Sequence, residues 1–148
     1  MRSSFREFTQ LTFAAILIVA AACARTEAPP SGKSLYDRLG GKTAITAVVD
    51  QFVANVAADT RINARFANAD IGRLKGHLAD QMCMATGGPC VYKGRDMKTT
   101  HAGMRITDAD FSALVEDLVA ALDRFKVPVR EKGEVLAILG PFKKDIVE

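Results

Sequence analysis

Apolar residues recur at helical spacing along most of the chain. Between Ile45 and Val56 the apolar positions are separated by steps of three and one, which predicts a helix over about residues 42–58 with one wide apolar face. Three further stripes of this kind predict helices over about residues 70–86, 107–126 and 131–146. The sequence has no sustained two-residue alternation and no Asn-Gly or Asp-Gly turn. The pattern therefore predicts an all-α protein.

Polar residues and glycines mark where these helices begin and end. Residues 34–37, Ser-Leu-Tyr-Asp, have the form of a capping box and predict a short helix that ends at the first Gly-Gly pair. Thr107 and Asp110 predict a second capping box. Asp70 can cap the helix that follows it, and Gly87-Gly88-Pro89 stops that helix. These signals give the domain about four substantial helices and two short ones.

Two weaker features complete the helical prediction. Pro141 lies inside the last stripe and should kink that helix, because proline lacks the amide hydrogen that a helix interior needs. A very short helix is predicted over residues 97–101, within a segment between the second Gly-Gly pair and Thr107 that otherwise shows little regular pattern. Long irregular segments inside compact domains are often functional.

The first residues have the features of an export signal. Arg2 and Arg6 precede an apolar run over residues 11–22, which is too short for the roughly 20 residues of a membrane-spanning helix. The run ends in Ala-Cys and resembles a bacterial lipoprotein signal, which predicts lipidation of Cys23; an ordinary signal peptide cut after Ala22 is the alternative. Residues 23–33 are predicted to be a flexible tether and residues 34–148 the folded domain. Ala24 is not an acidic retention cue, so we expect attachment to an outer membrane, facing the periplasm.

Charge and cysteine content narrow the function classes. The formal net charge is +3 with mixed signs and no basic cluster, so nothing indicates nucleic-acid binding. With Cys23 lipidated, two of the three cysteines remain, Cys83 and Cys90. Export to an oxidising compartment favours a disulfide between them, closing a short loop; two free buried thiols are the alternative.

The two histidines are the candidate metal ligands. His101 lies in the irregular segment, and a single axial histidine commonly holds haem iron. A haem also needs a flat apolar slot, which the faces of the helices over residues 70–86 and 107–126 can line and Phe66 can close. A capped surface histidine is the alternative. His77 falls at the edge of its helix's apolar face, where the ring can turn to solvent or to a cofactor.

Zinc is a rival explanation for four residues. His77, Cys83, Cys90 and His101 follow one another at intervals that match none of the usual structural zinc patterns, which favour close pairs. Oxidised cysteines would also be poor zinc ligands. The sequence therefore favours haem over zinc.

The motifs, taken in order, resemble those of the group 1 truncated haemoglobins, globins with a two-over-two helical sandwich. The resemblance runs from Leu35 to Val147 through "LYDRLGG", "FANADIGRLKGHL", "TGGPCVYKGRDMKTTHAGMRIT", "DFSALVEDLVAAL" and "AILGP". It implies a haem cofactor, His101 as the proximal iron ligand and Phe66 as a haem-packing residue. Lys75 or Lys98 can pair with haem propionates. The resemblance implies that further haem contacts come from Phe52, Val53, Leu74, Leu78, Met97, Ile106, Phe111 and Val115.

Two departures from the family pattern bear on function. Val53 follows Phe52 where the family often has tyrosine, and Leu78 lies where glutamine is common. Both usual hydrogen-bond donors to bound O₂ are therefore missing, so we do not transfer the O₂-dependent removal of nitric oxide attributed to some relatives. His77 matches a position that supplies a second haem ligand in some members. The resemblance then implies six-coordinate iron, and five-coordinate or water-bound iron is the alternative.

These features favour a ligand-binding or electron-transfer protein over an enzyme. The expected ligand is a diatomic gas, O₂, NO or CO, and electron transfer would require a redox partner. Haem-dependent chemistry on nitric oxide or peroxide is one alternative. A haem-free all-α interaction lipoprotein is another.

Overall fold

The computed structural model describes residues 32–148 of the chain. The predictions for the export signal, for the lipidation of Cys23 and for the tether up to residue 31 lie outside the described residues. Within residues 32–148, no helix combines the length and apolar character needed to cross a bilayer.

Helices make up the regular structure of the described residues, which contain no strand. The seven α-helices are α1 (Leu35–Arg38), α2 (Gly41–Ala58), α3 (Ile71–Ala85), α4 (Met97–His101), α5 (Asp108–Arg124), α6 (Val129–Leu139) and α7 (Lys143–Ile146), with 3-10 turns at Asn63–Phe66 and Gly140–Phe142. The all-α prediction is confirmed.

The predicted caps are formed by side chains that satisfy free amides at the helix starts. Ser34 Oγ accepts from the Asp37 amide at 3.1 Å, and the Asp37 carboxylate accepts from the Ser34 amide at 3.3 Å. Thr107 and Asp110 make the same reciprocal pair at the start of α5. These capping boxes begin α1 and α5 at the predicted positions.

The prediction of one continuous helix at residues 131–146 is wrong. A single kinked helix was expected over residues 131–146, but α6 ends at Leu139 and a 3-10 turn over Gly140–Phe142 separates it from α7. Pro141 lacks an amide hydrogen and follows a glycine, so the chain tightens into a 3-10 turn at this point instead of bending within one helix. At the other end α6 begins earlier than predicted, directly after Pro128, which is tolerated there because a helix start leaves its amides without intrahelical partners.

Helix α2 forms the centre of the fold. Both α3 and α5 pack along it, and neither packs extensively on the other, whereas α4 packs on α7. The predicted apolar stripe of α2 is its buried face, made by Ile45, Val48, Val49, Phe52, Val53 and Val56. This two-over-two arrangement confirms the predicted fold, in which α3 and α5 each pack on α2 and make few contacts with each other.

The second Gly-Gly pair allows the end of α3 to approach α1 closely. A Cβ atom at Gly88 would lie 2.5 Å from the Tyr36 ring and 2.7 Å from Cys83 Sγ. The Tyr36 amide donates to the Thr86 carbonyl at 2.8 Å, and the Tyr36 hydroxyl accepts from the Lys42 amide at 3.0 Å. Glycine at this position therefore fixes how the end of α3 is seated on the start of the domain.

Candidate haem site

His101 is the last residue of the one-turn helix α4 and is half-buried. Its Nδ1 lies 2.7 Å from the carbonyl oxygen of Met97, one turn back. A carbonyl only accepts hydrogen bonds, so Nδ1 carries the proton and Nε2 keeps its lone pair for a metal. A ligating histidine is typically oriented in this way by the hydrogen bond of its other nitrogen.

Asp96 sets the start of this short helix. Its Oδ1 accepts from the Thr99 amide at 2.8 Å, and its second carboxylate oxygen accepts from the Thr99 hydroxyl at 2.7 Å. The hydrogen bonds from Thr99 lower the pKa of Asp96 below its ordinary value. This cap begins α4 at the residue whose carbonyl orients His101. Sequence reasoning missed it, although an Asp three residues before a Thr is a recognisable capping signal.

The apolar side chains predicted to line the haem slot are only half-covered. Leu74 and Leu78 lie on α3, and Phe111 and Val115 lie on α5; all four are half-buried. Met97, Ile106 and Phe66 are half-buried as well, and Phe66 packs against the core from the end of the first 3-10 turn. Apolar side chains of this size are usually covered more fully in a core. Partly covered apolar side chains on both helices, together with a histidine whose Nδ1 is held by a backbone carbonyl, fit a haem.

Phe52 and Val53 are buried within the core cluster on α2. Val53 is 7% exposed, and its isopropyl group offers no hydrogen-bond donor. Leu78, half-buried on α3, offers none either. Both positions at which the family often supplies a donor are therefore apolar here.

His77 is half-buried on α3 and its ring meets an aromatic neighbour. The His77 and Tyr92 ring centroids are 5.9 Å apart, with the planes at 73°. Tyr92 is fixed in turn: its hydroxyl donates to the Arg95 carbonyl at 2.9 Å, and a Cβ at Gly94 would overlap that hydroxyl. Burial raises the pKa of Tyr92. Sequence reasoning missed Tyr92, because loop residues carry no periodic signal.

The two lysines considered for propionate binding differ in their surroundings. Lys75 Nζ lies 3.0 Å from Asp50 Oδ1, an ion pair that joins α3 to α2. Lys98, on α4, is exposed. Lys75 is therefore already paired with a carboxylate, whereas Lys98 is exposed to solvent.

Cys83 and Cys90 are joined by a disulfide, with their Cα atoms 5.7 Å apart. Cys83 is fully buried at the end of α3, and Cys90 begins the loop that carries Tyr92. Within residues 32–148, no three side chains of the His, Cys, Asp and Glu types gather as a metal site would require. The disulfide leaves neither of the two thiols that were weighed for zinc free to bind a metal.

The sequence profile that describes bacterial-like globins matches residues 34–148. The group 1 truncated haemoglobin GlbN of Mycolicibacterium paratuberculosis is 35% identical over 113 residues, which cover 76% of this chain and 83% of that protein. This agreement spans the whole predicted domain.

Solved structures show the same similarity. The Fe(III) form of the truncated haemoglobin from Tetrahymena pyriformis superposes with a TM-score of 0.75 and 32% identity, over 78% of this chain and 98% of that one. The 2/2 haemoglobin from Synechococcus sp. PCC 7002, in the cyanomet state and with covalently attached haem, gives a TM-score of 0.73 and 35% identity with the same coverage.

Proposed function

The chain belongs to the group 1 truncated haemoglobins, which are bacterial-like globins, and on that premise we propose that His101 Nε2 is its proximal ligand to haem iron. The family makes the protein a haem-binding globin that takes a diatomic gas. The observation that carries the role of His101 is the 2.7 Å contact between its Nδ1 and the Met97 carbonyl, which leaves Nε2 free.

Haem supplies an iron atom at which a diatomic gas binds reversibly. Half-buried apolar side chains on α3 and α5 would hold the haem between them and exclude water from it. Phe66 would close one side of this slot. Val53 and Leu78 leave the gas side without the two usual side-chain donors, so bound O₂, which carries partial negative charge, would be retained weakly. This argument supports binding of CO or NO, or electron transfer, more than storage of O₂.

His77 is proposed as a reversible sixth ligand. It lies at the edge of the apolar side of α3, half-buried, with its ring resting against Tyr92. A rotation of this side chain would exchange the contact with Tyr92 for the iron. Occupation of the sixth position by His77 would suit electron transfer to a redox partner or gating of gas binding; its release would leave an open site.

Optical spectra of purified protein test both ligands. Wild-type protein from haem-replete cells should show a Soret band that His101→Ala abolishes and His77→Ala keeps. A low-spin ferric spectrum that turns high-spin in His77→Ala supports the sixth ligand, and an unchanged high-spin spectrum refutes it. Colourless wild-type protein would instead favour the haem-free interaction lipoprotein.

Haem-dependent chemistry on nitric oxide or peroxide is the second candidate function. It requires that the iron position at which a gas would bind stays open. Val53 and Leu78 are proposed to lie near that position, and neither has a side-chain atom that can ligate iron. Consumption of nitric oxide or peroxide that rises in His77→Ala over wild type would favour it; equal and slow consumption by both proteins would count against it.

We also propose that the protein is exported and lipid-anchored through Cys23, facing the periplasm from an outer membrane. The support is the basic start, the short apolar run and the Ala-Cys junction of the sequence. Incorporation of labelled palmitate into wild type and not into Cys23→Ala, with release of the variant from the membrane fraction, is expected. Unlabelled wild-type protein would leave the ordinary signal peptide as the explanation.

A further inference from the structure

The segment that follows His101 is held by side chains from two distant parts of the chain. Residues 102–107 belong to no helix. Within this segment Gly103 has a φ of 77° and Arg105 a φ of 51°, a left-handed backbone that residues with a side chain rarely adopt. Such a backbone persists where the surrounding structure determines it.

Arg65 makes hydrogen bonds to the backbone of this segment. Its Nη1 donates to the Met104 carbonyl at 2.7 Å, and its Nη2 donates to the Arg105 carbonyl at 3.3 Å. Nη2 also donates to the Asp110 carboxylate at 2.9 Å, which fixes the guanidinium against the start of α5. The planar fork of arginine suits such paired acceptors.

Glu148 bonds the same segment through its amides. One carboxylate oxygen accepts from the Gly103 amide at 2.6 Å and the other from the Arg105 amide at 2.9 Å. The Glu148 amide donates in turn to the Ile106 carbonyl at 3.0 Å. The two backbone hydrogen bonds lower the pKa of Glu148, as expected of a carboxylate held by N–H donors.

Helix α4 packs on α7, and these hydrogen bonds hold the segment that follows it. Helix α4 has five residues, and a single helical turn is not stable in water by itself. Asp96 holds its start, and the residues just after His101 are those that Arg65 and Glu148 bond. A displacement of this segment would move the imidazole with it.

We infer that Arg65 and Glu148 are positioning residues: their hydrogen bonds to residues 103–106 form a clamp that sets where His101 meets the haem iron. The inference rests on the proposed role of His101. Arg65 also directly precedes Phe66, so the clamp joins the proximal segment to the corner that would pack on the haem. Loss of either side chain should weaken the bond between His101 and the haem iron, although His101 itself is still present.

The test compares Arg65→Ala and Glu148→Ala with Arg61→Ala in the full chain. Arg61 is a matched control, because it is an arginine of the same region whose bonds go to Asp59 and Glu116 instead of the segment. Haem transfer to an excess of apomyoglobin should be about tenfold faster in the two clamp variants, the effect expected from about two lost hydrogen bonds. The iron–histidine stretching band of the ferrous protein should shift in the same variants and not in Arg61→Ala. Glu148→Gln should recover part of the loss, since its amide oxygen still accepts.

A second measurement separates positioning from general stability. In His101→Gly, added imidazole can occupy the ligand position without a link to the backbone. Haem loss from His101→Gly with imidazole should therefore be insensitive to Arg65→Ala and Glu148→Ala. Equal acceleration in this background would overturn the inference, because the side chains would then act only on the fold.

The remaining outcomes are distinct. Clamp variants that lose haem at the Arg61→Ala rate, with an unshifted band, overturn the clamp and leave His101 as the ligand. A wild-type protein without a Soret band overturns the proposed function and the clamp together. If either alanine variant does not fold, as judged by circular dichroism, Arg65→Lys and Glu148→Gln carry the comparison with smaller expected effects, since lysine keeps the charge and loses the fork and glutamine keeps one acceptor oxygen.

Discussion

The two histidines lie on helices that are held in different ways. His77 lies inside the 15-residue helix α3, which packs along α2 and is joined at its end by the Cys83–Cys90 disulfide. His101 ends the five-residue helix α4, which is held by a cap before it and by hydrogen bonds after it. The backbone at His77 is therefore fixed by packing, and under the proposed function only the His77 side chain would have to move to reach the iron. The backbone at His101 packs on α7 and also depends on polar contacts at both ends of α4, so solution conditions and surface substitutions should affect it first.

The largest expected effect comes from His101→Ala. Loss of the proposed proximal ligand should weaken haem retention by more than the 10–100-fold that loss of a supporting residue typically costs. Titration of the haem-free proteins with haem, followed at the Soret band, measures the loss. The control is His77→Ala, which should retain haem because the distal helix keeps its packing. Similar haem loss from both variants would contradict the proposal that haem retention depends on His101 more than on His77.

Removal of the disulfide tests the covalent support of the distal side. Because Cys83 and Cys90 are 7 residues apart, loop-closure entropy alone predicts that Cys83→Ser with Cys90→Ser lowers the free energy of unfolding by about 2 kcal/mol. Urea unfolding with and without reductant measures it. Reductant should destabilise wild type and leave the double variant unchanged; if wild type is also unchanged, the cysteines are not paired.

A donor placed in the gas pocket tests whether its apolar character limits O₂ binding. Leu78→Gln introduces an amide at a half-buried position, where a new hydrogen bond to bound O₂ should slow O₂ release by about tenfold. Stopped-flow displacement of O₂ by CO measures the rate. The comparison is best made in a His77→Ala background, so that only the gas occupies the site. Leu78→Met, which keeps the volume and adds no donor, should release O₂ at the parent rate.

Tyr92→Leu tests what holds His77 away from the iron. An edge-to-face aromatic contact contributes about 0.5–1.5 kcal/mol, so its loss should raise the ratio of low-spin to high-spin ferric haem by about two- to tenfold. Optical and electron paramagnetic resonance spectra give this ratio. Val91→Ala is the control in the same loop, since Val91 is 66% exposed. The effect of Tyr92→Leu should disappear in His77→Ala; if it persists, the Tyr92 ring acts on something other than His77.

The smallest expected effect is the loss of local stability around α4 as the pH falls. The pKa values of Asp96, Asp110 and Glu148 are lowered in the fold, chiefly by backbone hydrogen bonds from Thr99, from Thr107 and from Gly103 with Arg105. A lowered pKa means that the stabilisation is present above the ordinary values of 3.8 and 4.5 and is lost as pH falls through the lower folded values. We expect amide protection factors, which correct for the intrinsic exchange rate at each pH, to fall with acid around α4 before they fall in α2 and α3. A loss of protection in α4, α2 and α3 at the same pH would contradict the expectation that α4 depends more on polar contacts.

Much of the site follows from local pattern. The stripe on α2, the caps at Ser34, Asp70 and Thr107, and the position of His101 at the end of a short helix were all predicted from neighbouring residues. The predicted continuity of the last helix was wrong, because Pro141 directly after Gly140 tightens the chain into a 3-10 turn instead of only bending one helix.

The sequence by itself determined the helices, the family and the two candidate ligands, because apolar periodicity, capping signals and the ordered motifs are all properties of residues close together along the chain. The tertiary structure decided which side chains support those ligands. Tyr92 lies 15 residues from His77, and Glu148 lies 45 residues from Gly103, so no short-range pattern connects them. Their contacts exist only because helix packing brings a loop and the end of the chain to the site, and it is there that the position of each histidine is set.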